Sequence, residues 1–177
     1  MTKSVAIIGA RGVPVGKIQS PPDAPFQIVE HEILAQLVAS AVGESGVGKE
    51  MIDALVFSEP HVYTRQKYFS TFMTSYLGLT CHGSVMEVLG NGMTGGLAIE
   101  RAADEIRLGR ARVALALGVN METATPASEH MNITLRATGD VDFHSPAGFT
   151  PISWYAMDAT RYMHEYGATR AEFASVA

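Results

Sequence analysis

Between Val88 and Ala98 the chain reads VLGNGMTGGLA, and three of its glycines (Gly90, Gly92, Gly95) fall into the spacing G-x-G-x-x-G. An apolar run precedes this turn and a helical pattern follows it, so the glycines open a helix. The first turn of a helix carries amide N–H groups without intrahelical partners and a positive partial charge. One chemistry for that place is the binding of a dinucleotide pyrophosphate. This reading also needs an acidic residue near the end of the next strand, and Glu122 lies a few residues past it. The match is partial: the fingerprint normally opens the first strand–helix unit, whereas here it sits in the third, and the first turn, Gly9-Ala10-Arg11-Gly12, does not fit. A second reading involves packing alone. Gly95, Gly96, Ala98, Ala102 and Ala103 are small residues that would let the helix sit close to a sheet or to a second copy of itself.

The elements around the turn are legible from periodicity. Val85, Val88 and Leu89 form a short apolar run, a helical pattern covers Met93–Leu108 with Gly109 as its stop, and Val113–Leu117 is a second apolar run. Upstream, Ser4–Ile8 suits a buried parallel strand, Arg11–Pro25 a loop, and Gln27–Val42 an amphipathic helix with Glu30 and Glu32 at its positive end. Ile52–Phe57 reads as a strand, Ser58–His61 as a loop, and Thr64–Leu77 as a helix closed by Gly78. The order βαβαβαβ predicts an α/β fold, a parallel-rich sheet with helices on both faces. After Val119 the character changes. Asn120–Thr150 reads as a loop-rich excursion, Ile152–Tyr166 as a helix, and the capping-box spacing Thr169–Glu172 starts a last helix over Arg170–Val176. The expected division is a core over 1–119 and a loop excursion with helices over 120–177, cut short as part of something longer.

Composition narrows the classes. The chain has 177 residues, 47% of them hydrophobic, 18% charged, with a net charge of −5, which argues against a general nucleic-acid binder. The single cysteine, Cys81, excludes an intramolecular disulfide and a cysteine-based metal cluster, and reads as a small core residue. No apolar run approaches the roughly 20 residues of a membrane span, and the N-terminal run is too short for a signal peptide. A soluble, cytoplasmic protein without metal or cofactor is expected. His130 and His144 read as solvated loop histidines, with a substrate contact as the alternative, and His164 as a surface or interface residue; Arg101, Asp104, Glu105 and Arg107 read as the polar face of the central helix.

Several stretches resemble the thiolase superfamily. Gly92-Met93-Thr94-Gly95-Gly96-Leu97-Ala98 aligns without gaps on the Cys-Ala-Ser/Thr-Gly-x-x-Ala motif. Val5–Gly16 is similar to the N-terminal strand and its Arg-Thr-Pro-x-Gly turn, and Ile52–Ser58 to the second strand. Leu115–Glu122 is similar to the Gly-Gly/Val-x-x-Met strand end, and Tyr162–Ala177 to the Tyr-Gly-x-Thr-Arg-Glu-x-x-Ala segment, nearest the sterol-carrier-type (lipid-transfer) branch.

The resemblance implies the N-terminal half of an acyl-CoA enzyme. In that superfamily the helix start activates a cysteine that takes up the acyl group; here Gly92 stands at that position, so no catalytic residue is assigned. Members without the cysteine resemble the later part of this chain and cleave β-hydroxyacyl-CoA by retro-aldol chemistry, with acid and base supplied by a second half and with a small OB-fold partner. The implied ligand is a CoA thioester, the implied contacts Gly92, Met93, Thr94, Met121, Glu122, His144 and Tyr155, and the implied assembly a homodimer. Two further readings stay open: a non-catalytic acyl-CoA-binding or scaffold subunit, and a dinucleotide-binding protein using Gly90, Gly92 and Gly95.

Overall fold

The computed structural model describes residues 4–16, 29–58, 66–122 and 126–176, which fall into two compact units, 1–124 and 125–177. The first unit is built on a three-stranded parallel sheet of β1 (Ala54–Ser58), β2 (Val85–Val88) and β3 (Ala114–Gly118), in the order β2-β1-β3. Central β1 is the unbroken apolar run of the sequence: Ala54, Leu55, Val56 and Phe57 are all fully buried, as a strand covered on both faces requires.

Side chains alternate across β1, so Leu55 and Phe57 face one side of the sheet and Val56 the other. Helix α3 (Thr94–Arg107) lies on the Val56 side, where Ala98 and Ala102 pack against it with Met86, Val88, Ala114 and Ala116 around them. Helices α1 (Glu30–Ser45) and α2 (Phe69–Leu77) lie on the Phe57 side, contributing Leu34, Val38, Phe69, Met73 and Leu77. Each of the large buried side chains there is worth about 1.5–3 kcal/mol of removal from water. Half-buried Cys81 packs against this cluster, in line with its expected core role, and burial pushes its thiol pKa up. Helix α2 stops where the sequence puts its stop. Gly78 takes φ 62°, its N–H donates to the Ser75 carbonyl at 3.0 Å, and the Leu79 N–H donates to Thr74 at 2.9 Å. The Lys49 ammonium adds a 2.7 Å bond to the Leu77 carbonyl.

The alternation of helix and strand in one parallel sheet therefore holds from α1 to β3, but its expected first strand does not form. Residues 4–16 have no regular structure, and Ile7 and Ile8 are 78% and 50% exposed. The segment lies along the end of α1, with Arg11 paired to Glu44 and Gly9 so near that a side chain there would meet the Ala41 carbonyl at 3.1 Å. Both sides of β1 are taken by β2 and β3, and the run pairs with neither outer strand of the sheet. The helix starts expected at Gln27 and Thr64, the loop over 59–61 and most of the Arg11–Pro25 loop fall outside the described residues.

The second unit holds α4 (Ala127–Thr138), α5 (Pro151–Tyr166) and α6 (Arg170–Ala174). Helix α4 corrects the expected loop over Asn120–Thr150. Among its described positions His130, Ile133, Thr134 and Leu135 are half-buried, and two of the four are polar, so the apolar part of the stripe is only Ile133 and Leu135, too little for a hydrophobicity pattern. Helix α5 begins with a Thr150–Ser153 capping box and Pro151 at its first position. Helix α6 begins with the Thr169–Glu172 box that the spacing predicts, and the Thr169 N–H and hydroxyl hold the Glu172 carboxyl below its usual range.

Candidate functional site

The C-terminal ends of parallel strands are where α/β sheets receive ligands. At the end of β2 the chain turns at Gly90 and passes through a 3-10 turn, Asn91–Met93, into α3. Two hydrogen bonds close the turn: Met93 N–H donates to the Gly90 carbonyl at 3.1 Å, and Gly90 N–H donates to Thr94 Oγ1 at 2.9 Å. Thr94 is buried by this role. Gly90 is crowded, since a side chain would meet Met93 Cγ at 3.0 Å and Leu97 Cδ2 at 3.3 Å. Gly92 is the opposite: it is exposed, and an added Cβ would meet no atom within 4 Å. Met93 is 67% exposed, and no side chain caps the start of α3.

This geometry speaks against the dinucleotide reading. The third glycine of that fingerprint allows close helix–strand packing, yet a side chain on Gly95 would stand in open space. It also divides the small-residue stripe. Ala98 and Ala102 bring α3 onto the sheet, whereas Gly95 and Gly96 are exposed and take no part in that packing.

At the end of β3, Gly118 lies opposite Ser58 in the parallel register. A Cβ on Gly118 would fall 2.8 Å from Ser58 Oγ and 2.9 Å from Ser58 Cβ, so glycine is required by close approach. Beyond it Met121 is buried and Glu122 exposed. The first unit thus gathers Gly92, Met93 and Thr94 after β2, and Met121 and Glu122 after β3, at one edge of the sheet. With β1 between them, the two segments leave the sheet about 10 Å apart.

The remaining expected contacts lie in the second unit. His144 is not a solvated loop residue. Its Nδ1 accepts from the Asp140 N–H at 3.0 Å, and its ring packs edge-on against Trp154 at 4.9 Å and Phe143 at 5.3 Å. The imidazole thus serves the turn after α4. His130 is half-buried on α4, also departing from the solvated-loop expectation. His164 is exposed on α5, as expected, and Tyr155 is 72% exposed on the same helix.

Three carboxylates carry more of the first unit than their sequence positions suggest. Glu105, expected on the polar face of α3, is only 1% exposed. It accepts from Arg110 Nε at 3.0 Å and from the Ser84 N–H at 3.4 Å, and the Arg110 guanidinium holds its carboxyl below the usual range. Asp53 accepts from the Arg112 N–H at 2.8 Å, which lowers its pKa in the same sense. Glu87, on β2, accepts from the Ser70 N–H at 2.6 Å. The sequence signal for Glu87 was a lone charge inside the apolar strand VMEV; Glu105 and Asp53 gave none.

With this fold and edge in view, comparison with known proteins identifies the class. The model of the thiolase N-terminal domain matches residues 5–177. The chain belongs to the thiolase family. It is similar to an acetyl-CoA acetyltransferase of Methanothermobacter thermautotrophicus, 27% identical over 98% of this chain and 43% of that protein. It is also similar to the benzoylsuccinyl-CoA thiolase subunit BbsB of Thauera aromatica, 34% identical over 56% of this chain and 25% of that protein. The chain spans less than half the length of these curated relatives. No helix among the described residues is long and apolar enough to cross a membrane.

Proposed function

We propose that this chain is the N-terminal half of an acyl-CoA-directed carbon–carbon bond enzyme of the sterol-carrier-type branch, acting as a retro-aldolase on a β-hydroxyacyl-CoA. The observation that carries the reading is the open space at Gly92, in the turn that leads into α3, where an added Cβ would meet no atom within 4 Å; the reading takes this glycine as the counterpart of the family's cysteine. Without that thiol no acyl-enzyme forms, and thiolysis has no route. Retro-aldol cleavage needs none: a base takes the β-hydroxyl proton, the Cα–Cβ bond breaks, Cβ becomes a carbonyl, and the electron pair remains on the thioester enolate until Cα is protonated. Amides at the start of α3 would donate to the negative charge formed in that step. Gly92, Met93, Thr94, Met121 and Glu122 are the proposed ligand contacts of the first unit, and the acid and base belong to the second half.

A second reading, a non-catalytic acyl-CoA-binding or scaffold subunit, is favoured by one finding: a relative of this chain is itself named as a subunit of a thiolase. The natural full-length protein, with any OB-fold partner, separates the two. Incubation with a β-hydroxyacyl-CoA should release a carbonyl compound and a shortened acyl-CoA, whereas acyl-CoA with free CoA should give no thiolysis. Measured thiolysis would sink the Gly92 argument; acyl-CoA binding without cleavage would leave the subunit. The family resemblance also implies a homodimer, which light scattering on the natural protein would contradict by showing a monomer.

A further inference from the structure

Central strand β1 runs through four buried apolar residues and ends on a hydroxyl, that of Ser58. Side chains in register across parallel strands share a face. Val88, the register partner of Ser58 on β2, packs on the α3 side of the sheet. Ser58 therefore faces α3 too, two residues beyond Val56. Helix α3 joins two parallel strands, so it runs back against their direction, and its Ala98 packs on Val56. One turn from Ala98 toward the helix start covers about 6 Å. The two residues from Val56 to Ser58 cover about 6.6 Å. The matching lengths bring Thr94, and with it the Gly92–Met93 turn, over Ser58. Gly118 gives this hydroxyl its room, because a Cβ there would fall 2.8 Å from Ser58 Oγ. Yet among the described residues Ser58 Oγ makes no hydrogen bond. Ser58 is half-buried and Gly118 beside it is exposed, so the hydroxyl can be reached from the open edge.

We propose that Ser58 is a further contact of the bound thioester, its hydroxyl donating to the acyl oxygen beside the amides at the start of α3; the proposal rests on the reading of this edge as the acyl-CoA site. The test is calorimetric titration of acetyl-CoA, and separately of free CoA, into the natural full-length protein and its Ser58→Ala variant, with melting temperatures recorded alongside. Ser58→Ala should melt no lower than the parent, since the hydroxyl has no hydrogen bond within the fold to lose. It should bind acetyl-CoA roughly fivefold more weakly, the worth of one ordinary hydrogen bond. Free CoA has no acyl oxygen and should bind parent and variant alike. Unchanged affinity for acetyl-CoA overturns the proposal, as does an equal weakening for free CoA. A variant that melts well below the parent overturns it too, by showing that the hydroxyl serves the fold. An unaltered protein that fails to bind acetyl-CoA overturns the site reading, and the proposal with it.

Discussion

The two ends of the sheet are held by different physics. At the N-terminal end, buried or half-buried charge does the fastening: Asp53 takes the Arg112 N–H, and Glu105 takes both the Arg110 side chain and the Ser84 N–H. The C-terminal end adds close glycine approaches, Gly118 against Ser58 and Gly90 against Met93, to the Glu87–Ser70 and Thr94–Gly90 hydrogen bonds, and it leaves Gly92 open. Charged pins resist movement but fill their space. Glycine contacts fix the backbone and keep room above it, as an edge that receives a ligand requires. The difference separates the end that keeps the strands in register from the end available to chemistry.

The largest effect should come from the charged end. Glu105→Ala removes a carboxylate that is 1% exposed and strands the Ser84 N–H. Arg110 is half exposed and can regain water, so the loss should be about 2–3 kcal/mol, toward the low side of a broken buried pair. Urea unfolding followed by circular dichroism reads it, and a loss under about 0.5 kcal/mol would show that the pin is ornamental. The glycine end should answer to volume instead. Gly118→Ala presses a methyl group into Ser58 and should cost about 1–3 kcal/mol. Ser58→Gly in the same chain should recover most of that, since both close contacts are to the Ser58 side chain. If the double variant is no more stable than the single, the strands yield there and the close approach is not what fixes Gly118.

What the sequence shows of this contrast depends on range. Strands β1 and β3 are visible as unbroken apolar runs, and the stops at Gly78, Gly109 and Gly167 are visible because each takes a left-handed conformation within its own turn. The Gly90–Thr94 turn is equally local. The Gly118–Ser58 contact is not, because it exists only through the parallel register of strands far apart in the chain. Glu105 shares the surface-like spacing of Arg101 and Asp104 on α3, and only Ser84, at the entry to another strand, makes it a buried residue. Ser4–Ile8 fails for the same reason: apolar character marks an extended segment but not which strand has a side free. Helix α4 escapes notice because only Ile133 and Leu135 of its half-buried positions are apolar.

Acidity should act on the charged end through Asp53 and Glu105. The folded pKa values of Asp53 and Glu105 are both held below their ordinary values, by the Arg112 N–H and the Arg110 guanidinium respectively. Each thus contributes stability that is present above the unfolded carboxylate pKa, about 4, and is lost as pH falls through the lower folded value. The urea midpoint should hold from neutral pH down to about pH 5 and fall below it. Asp53→Asn should lower the plateau and make the acid fall shallower, because the amide oxygen can still accept from Arg112 without titrating. An acid fall as steep as the parent's would remove Asp53 from the account.

The smallest effect on stability should fall at Gly92, the position on which the proposed function turns. Gly92 has no left-handed φ and no neighbour within 4 Å of an added Cβ, so Gly92→Cys should change stability by no more than about 0.5 kcal/mol. The new thiol would stand exposed at the start of α3, where unpaired amides favour the thiolate. Cys81 in the same molecule is half-buried, with its thiol pKa pushed up. Iodoacetamide at neutral pH should therefore modify position 92 well ahead of Cys81, as peptide mapping by mass spectrometry would read. A thiol at position 92 that reacts no faster than Cys81 would mean that this helix start does not activate a nucleophile, and the open end of the sheet would lose its claim to chemistry.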